Sequence, residues 1–182
     1  MAKIIYLIGS SGSGKDTLIQ RVRTRELPQL EIAHRYITRD WQSGGENHIE
    51  LSANAFKRRQ QLGAFSLSWS ANESYYGIGC EIIHWLSCNQ HVLLNGSRGY
   101  LAQAQALFPN QILPVMVDVS ADKLRQRLSN RGRENSEQIE KRIARHLQFS
   151  NQTITDLQRV DNDQEVEAAV DQLCHIINNI NA

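Results

Sequence analysis

The residues best suited to chemistry lie near the N-terminus, in a glycine- and serine-rich loop that ends on a lysine. The loop has the phosphate-binding spacing G-x-x-x-x-G-K and consists of Gly9, Ser10, Ser11, Gly12, Ser13, Gly14 and Lys15. Its glycines let successive backbone N–H groups turn toward phosphate oxygens, and its lysine brings a mobile positive charge. The alternative, a turn that binds nothing, is disfavoured because an apolar strand precedes the loop and a helix is expected after it. The loop therefore predicts nucleotide binding.

Asp16 follows the lysine, in the position where such a loop usually has serine or threonine. Magnesium prefers hard oxygen ligands, and a carboxylate supplies them. Asp16 is expected to face the ion directly or through a water molecule, and Thr17 offers a hydroxyl one position further along. We therefore interpret Asp16 and Thr17 as candidate Mg²⁺ ligands in a working site.

The loop must be positioned by the strand before it and the helix after it. Residues 4–8 form a short apolar run typical of a buried strand, and residues 17–25 can form the helix. Further strands are expected at 34–38, 64–70, 91–97, 112–120 and, at an edge, within 156–163, with a turn at 75–79. Further helices are expected after the N-caps Ser52 and Ser120, at 81–87 and 100–108, and at the C-terminus, where one apolar face contains Val166, Val170, Leu173, Ile177 and Ile180.

The alternation of strands and helices predicts an α/β domain with a mostly parallel sheet and helices on both faces. Ligands bind outside the carboxyl ends of such strands. The phosphate loop, the segment 95–99 with Ser97 and Arg98, and the segment 118–122 are therefore expected to share one edge. Asp118 could orient a metal there or cap the following helix, and both alternatives stay open.

Composition narrows the classes of function. A net charge of +1 gives no field suited to non-specific binding of nucleic acid, and no apolar run approaches the roughly 20 residues that span a bilayer. The N-terminus lacks the pattern of a signal peptide. The three cysteines have neither metal-ligand nor redox spacing, which indicates free thiols in a reducing cytoplasm. Cys80 and Cys88 flank an apolar helix and are expected to pack against it.

Three further stretches, together with the loop, resemble the guanylate kinase family of P-loop kinases. YITRD (36–40) resembles the strand end whose arginine grips the acceptor phosphate, SYYGIG (74–79) the tyrosine-glycine turn, and RLSNRGRENSEQIEKRIAR (127–145) the lid. The resemblance implies that Arg39 and Tyr76 contact the acceptor phosphate. It also implies that the transferring phosphoryl group is contacted by Lys15, Arg127, Arg131 and Arg142.

The same resemblance implies a single P-loop kinase domain with a mostly parallel five-stranded sheet and helices on both faces. Its core would comprise residues of about 1–32, 91–124 and 146–182. An acceptor-binding insert would occupy about 33–90, and a lid about 125–145.

The departures from guanylate kinases lie in the groups that read the base. The acidic residue expected within FSLSWS (65–70) is absent, and Asn95 replaces the acidic residue at the end of the third core strand. A site that hydrogen-bonds guanine would keep those carboxylates. The combination GSSGSGKD, RYITRD, GGENH and NGSRG is similar to the ribose 1,5-bisphosphate phosphokinase family. That resemblance implies ATP-dependent, Mg²⁺-assisted phosphorylation of ribose 1,5-bisphosphate to 5-phospho-α-D-ribose 1-diphosphate in phosphonate catabolism, and it makes Asp16 a family feature.

An acceptor with two phosphates suits arginines, because a guanidinium binds phosphate through forked hydrogen bonds. Arg35 and Arg98, with Ser97 beside the latter, are further candidate acceptor ligands, and a solvated surface position explains the two arginines equally well. Glu46 and His48 could bind ribose hydroxyls or simply shape a turn. The expected partner is a small phosphorylated sugar, and the expected assembly is a monomer or homodimer. The alternatives are a guanylate or other nucleoside monophosphate kinase, a non-catalytic guanylate kinase-like binding module and a nucleotide-regulated switch.

Overall fold

The computed structural model describes residues 1–41, 48–132, 134–150 and 154–181. In chain order the elements are β1 (Ile4–Ile8), α1 (Lys15–Arg23), β2 (Leu30–Ile32), β3 (Arg35–Ile37), β4 (Ile49–Glu50), α2 (Ala53–Gln61), β5 (Phe65–Ala71), β6 (Ser74–Gly79), α3 (Glu81–Ser87), β7 (His91–Asn95), α4 (Leu101–Leu107), β8 (Ile112–Asp118), α5 (Ala121–Arg131), α6 (Ser136–Ser150), β9 (Gln158–Asp161) and α7 (Val166–Asn178). The helices expected from the sequence are confirmed, and so is the edge strand, β9.

The core sheet has five strands, all parallel, in the order β2-β7-β1-β8-β9. Every residue of the central strand β1 is buried, because helices cover both faces of the sheet. Its side chains alternate, so that Ile4, Tyr6 and Ile8 enter one apolar core while Ile5 and Leu7 enter the other. The predicted α/β fold is therefore confirmed. The sequence does not predict strands β2 and β4, because both are short and neither contains a buried residue.

A second sheet of four strands, in the order β4-β3-β6-β5, is inserted between β2 and β7 along the chain. β6 pairs antiparallel with both β5 and β3. The predicted turn at 75–79 is therefore wrong, since these residues belong to β6. The chain reverses instead at Asn72 and Glu73, whose φ angles of 47° and 61° are those of a tight hairpin turn. Consequently Arg35 and Tyr76 lie on adjacent strands.

Helices α2 and α5 begin at the predicted caps. Ser52 Oγ accepts a hydrogen bond from Ala55 N at 3.2 Å before α2, and Ser120 Oγ accepts one from Lys123 N at 3.3 Å before α5. Helices α5 and α6 enclose a small apolar core of their own, made of Val119, Leu124, Leu128, Ile139 and Ile143. This helical pair contains the segment that the resemblance assigns to a lid. The division of the chain into core, insert and lid stays an interpretation.

The cysteines differ from expectation. Cys80 and Cys88 stand at the two ends of α3 and are exposed, so the prediction that they pack against this helix is wrong. The side chain that α3 buries is that of Ile82. Cys174 packs at the margin of the core beside α1, where burial raises the pKa of its thiol. Within the described ranges, no helix has the length and apolar character needed to cross a bilayer.

Candidate active site

A cleft of about 600 Å³ lies at the carboxyl edge of the core sheet. It is lined by the loop after β1, the segment after β7, residues on and beside the second sheet, and the end of α5. The predicted meeting of the phosphate loop with the segment 95–99 is confirmed. The segment 118–122 does not contribute to the described lining.

Lys15 begins helix α1 and brings its ammonium group back across the loop. Its Nζ donates to the backbone oxygens of Gly9 at 2.9 Å and Ser10 at 3.1 Å. Gly14 is the N-cap of α1 and has no side chain with which to cap the helix. The positive end of the helix dipole and the lysine charge therefore point at the same part of the cleft, which is an arrangement suited to phosphate.

The back of the loop is held by long-range hydrogen bonds to the Ser13 carbonyl. Asn162 Nδ2 donates to it at 2.6 Å and Arg127 at 3.1 Å, while Arg127 also donates to the Asn162 carbonyl at 2.7 Å. Gly14 has a φ of 95°, and a Cβ there would overlap Asn162 Nδ2. Arg127 lines the cleft, but two of its guanidinium nitrogens donate to backbone oxygens. Its observed role is therefore to support the loop.

Asn162 is a site residue that sequence reasoning misses. It lies just beyond the end of β9, is 2% exposed, and is 149 positions from its partner Ser13. The available signal is the polar stretch DND directly after an edge strand, since carboxyl ends of parallel strands form the binding edge.

Asp16 and Asn95 are hydrogen-bonded to each other. Asn95 ends β7, is 4% exposed, and donates from Nδ2 to Asp16 Oδ1 at 2.6 Å. Asp16 and Thr17 both line the cleft and offer carboxylate and hydroxyl oxygens, the donors that Mg²⁺ prefers. Among the described residues there is no cluster of three or more His, Cys, Asp or Glu side chains that could hold a metal alone. Such a donor set fits an ion that also binds substrate phosphates.

The far side of the cleft combines arginines with stacked aromatic rings. The Arg35 guanidinium lies 5.2 Å from the centre of the Tyr76 ring, close enough for a cation–π interaction. Tyr76 in turn stacks on Trp69, with ring centres 5.5 Å apart and planes 4° apart. Arg35, Arg39, Tyr76 and Trp69 all line the cleft. The structure thus brings Arg35, Arg39 and Tyr76 together as expected, and adds Trp69.

Two residues of the segment after β7, Ser97 and Arg98, lie at the same cleft. Both line the cleft, and the Arg98 guanidinium is partly buried, which lowers its pKa from the ordinary value. Tyr6 holds this segment from below, since its hydroxyl accepts from Ser97 N at 3.0 Å and donates to Ser97 O at 3.1 Å. Burial raises the pKa of Tyr6 to about 12, so the phenol stays neutral and makes both bonds. Tyr6 supports the site, but the sequence alone does not show this role because the residue lies within the apolar run of β1.

Gly96 lets the Tyr6 ring approach the chain, and this makes a stability prediction. A Cβ at Gly96 would overlap the Tyr6 ring, whereas a Cβ at Gly99 would meet its nearest neighbour, Ser97 Oγ, at 3.9 Å. We expect Gly96→Ala to lower the free energy of unfolding by about 1–3 kcal/mol, the usual effect of overpacking. Gly99→Ala is the matched control and should change it by less than about 1 kcal/mol. Urea denaturation measures both, and equal effects of the two substitutions would contradict the assigned contact.

The helical pair supplies one of the two remaining predicted arginines. Arg131, the last residue of α5, lines the cleft. Arg142 is not among the lining residues, because it is held by Glu134 at 2.8 Å, a carboxylate that is 10% exposed. Ser10 Oγ is hydrogen-bonded to His146 Nδ1 of α6 at 2.7 Å, so this loop hydroxyl faces α6. The structure therefore joins Arg131 to the site and leaves Arg142 outside it.

Three other candidates lie outside the cleft or outside the described ranges. His48 is buried and donates from Nε2 to the Arg39 carbonyl at 2.9 Å, which favours the shaping role over contact with ribose. Glu46 lies outside the described residues. Asp118 binds Arg159 at 2.6 Å and does not line the cleft, so neither role considered for it is found. The cap of α5 is Ser120, as described above.

Comparison with known proteins agrees with this geometry. The guanylate kinase family model matches residues 1–180. A protein of Pectobacterium parmentieri (strain WPP163) named ribose 1,5-bisphosphate phosphokinase PhnN is 47% identical over 167 residues, covering 92% of this chain and 89% of that protein. One of the same name from Pantoea vagans (strain C9-1) is 51% identical over 148 residues, covering 81% and 83%.

A solved structure is similar in fold. The crystal structure of guanylate kinase from Anaplasma phagocytophilum matches with a TM-score of 0.73 over 97% of this chain and 85% of that one, at 14% identity. That similarity establishes the fold, and the sequence matches establish the family. The chain therefore belongs to the guanylate kinase family and, within it, to the ribose 1,5-bisphosphate phosphokinases.

Proposed function

We propose that this phosphotransferase moves the γ-phosphoryl group of ATP to ribose 1,5-bisphosphate and forms 5-phospho-α-D-ribose 1-diphosphate, a step of phosphonate catabolism. The observation that carries the proposal is the distribution of charge in the cleft. Lys15 lies at one end, and Arg35, Arg39 and Arg98 line the other. In the described lining the acidic side chain is that of Asp16, on the loop side.

ATP suits the loop side of the cleft. Phosphoryl transfer asks the protein mainly to hold two anions in line and to neutralise charge. The loop's backbone would hold the β- and γ-phosphates, and Lys15 and Arg131 would contact the transferring group. Mg²⁺, bound through the oxygens of Asp16 and Thr17, would supply additional neutralisation of the phosphate charge.

Ribose 1,5-bisphosphate suits the arginine side. The sugar carries phosphates at both ends, and Arg39, Arg35 and Arg98 would bind them through charge-assisted, forked hydrogen bonds. Arg98 is partly desolvated, which strengthens its attraction to an anion. Ser97 would contribute its hydroxyl next to Arg98.

The aromatic stack would fix the direction of Arg35. Tyr76 has Trp69 on one side and the guanidinium of Arg35 within cation–π range. A guanidinium held in this way loses less freedom when it binds phosphate. A nucleobase, in contrast, would require hydrogen-bonding groups, and the described far side of the cleft has no carboxylate for them.

The test is an ADP-release assay with three arms: ribose 1,5-bisphosphate, GMP and no acceptor. We expect turnover with the bisphosphate, little or none with GMP, and none without acceptor. Coupling to a phosphoribosyltransferase, which consumes the diphosphate product, checks product identity. Efficient turnover of GMP, with no turnover of the bisphosphate, would indicate that the enzyme acts as a guanylate kinase. Nucleotide binding without turnover in any arm would indicate a binding module.

Two further statements stay predictions. We place the enzyme in the cytoplasm because its three cysteines have neither metal-ligand nor redox spacing and indicate free thiols in a reducing compartment. We also keep the monomer or homodimer as the expected assembly. Sedimentation of the purified protein would decide between the two.

A further inference from the structure

The pair formed by Asp16 and Asn95 has chemistry that the roles above do not use. Asn95 sits at the carboxyl end of β7 and belongs to no predicted set of ligands. It is 4% exposed, and a buried polar side chain in such a position is costly unless its groups are satisfied. Its Nδ2 is satisfied by the Asp16 carboxylate at 2.6 Å, a short hydrogen bond of the charge-assisted kind.

The second polar atom of Asn95 indicates that the residue faces a ligand site. Oδ1 is fully buried and has no hydrogen-bond partner among the described residues. Both Asn95 and Asp16 line the main cleft, and both also line a small cavity of about 30 Å³ behind it. That volume is enough for a water molecule. The pair therefore forms a wall between the cleft and the smaller cavity.

Charge explains why an amide serves here better than a second acid. Two carboxylates within hydrogen-bond distance repel, and one of them then takes up a proton. An amide of the same shape instead donates a hydrogen bond to the Asp16 carboxylate. The pair thereby has a single carboxylate, whose position is set by a neighbour at the end of a buried strand.

We propose that Asn95 is a positioning residue, whose carboxamide holds the Asp16 carboxylate toward the metal-bearing phosphates of the donor. The proposal rests on the proposed donor site and does not depend on the identity of the acceptor. Asn95 contributes through Asp16 and is not itself assigned to the transferring group. Its substitution should therefore change the Mg²⁺-dependent part of ATP binding more than the Mg²⁺-independent part.

The experiment measures the Kd of ATP by titration calorimetry, with Mg²⁺ and with EDTA, for the wild type and Asn95→Leu. Leucine keeps most of the volume and removes the donor. We expect Asn95→Leu to weaken Mg²⁺–ATP binding about tenfold or more, the effect of losing a hydrogen bond to a charged group, and to leave the EDTA value within about twofold. Asn54→Leu, on the exposed surface of α2 and outside the cleft lining, is the matched control.

An exchange of the two side chains keeps the test decisive if leucine disturbs folding. Asp16→Asn leaves no carboxylate in the pair, Asn95→Asp leaves two, and the double substitution Asp16→Asn with Asn95→Asp restores one without changing shape. We expect the double variant to bind Mg²⁺–ATP more tightly than either single variant, a non-additivity that marks a direct interaction. Purely additive effects, or a Mg²⁺ dependence of Asn95→Leu equal to that of wild type, would overturn the proposal. Failure of the wild type to use ribose 1,5-bisphosphate would instead overturn the proposed function alone.

Discussion

Replacing Lys15 by alanine is expected to lower phosphoryl transfer by about a hundredfold to a thousandfold, while the protein stays folded. The Nζ of Lys15 spans the loop between the carbonyls of Gly9 and Ser10, at the start of α1. A positive charge placed there in advance needs no reorganisation when charge shifts during transfer, and its loss falls mainly on the rate. The measurement is kcat and kcat/KM from ADP release with saturating ribose 1,5-bisphosphate.

The control for this prediction is Lys57→Ala. Lys57 is an exposed lysine on α2 that does not line the cleft, so its removal makes the same change in net charge. We expect wild-type rates from Lys57→Ala and unchanged circular dichroism from both variants. A Lys15→Ala enzyme with wild-type kcat would show that the loop is not the donor site.

Arg39→Ala is expected to raise the KM of ribose 1,5-bisphosphate by about tenfold to a hundredfold and to leave the KM of ATP nearly unchanged. Arg39 follows strand β3 and lines the cleft on the side away from the loop. A hydrogen bond to a charged group contributes about 1.5–3 kcal/mol, and a guanidinium can make two to one phosphate. The effect should therefore appear with the acceptor alone.

Two companion variants sharpen this prediction. Arg39→Lys keeps the charge and loses the fork, so it should recover part of the affinity. Arg59→Ala removes a guanidinium from α2, where it lies 5.3 Å from the Tyr36 ring and outside the cleft lining, and should leave both KM values unchanged. A parallel rise in the KM of ATP and of the acceptor would show that Arg39 supports the whole cleft and not the acceptor side.

The sequence was most informative where a function depends on neighbouring residues. The loop from Gly9 to Lys15 is defined by local spacing, and its strand and helix follow from apolar patterns on either side. Arg35 and Arg98 were ambiguous because a lone arginine has no local signature. Their placement depends on which strands pair: β7 beside β1 places Arg98, and β3 beside β6 places Arg35.

The residues that sequence reasoning missed act across long stretches of chain. Tyr6 contacts Ser97 at a separation of 91 positions, and Asn162 contacts Ser13 at 149. Neither type of residue is unusual in its own segment. The wrong turn at 75–79 has a related cause: glycines suggested a reversal, whereas pairing with two neighbouring strands keeps the segment extended.

The arginine side of the cleft has a consequence for how the acceptor is held, because its arginines belong to two different sheets. Arg35 is part of β3 in the second sheet, and Arg98 follows β7 of the core sheet. A sugar with a phosphate at each end can link the two sheets, and each phosphate raises the effective concentration of the other. In the proposed roles, a sugar with one phosphate can anchor to one sheet only. The distance between the two phosphates, more than the identity of the sugar, would then determine which acceptors the enzyme can use.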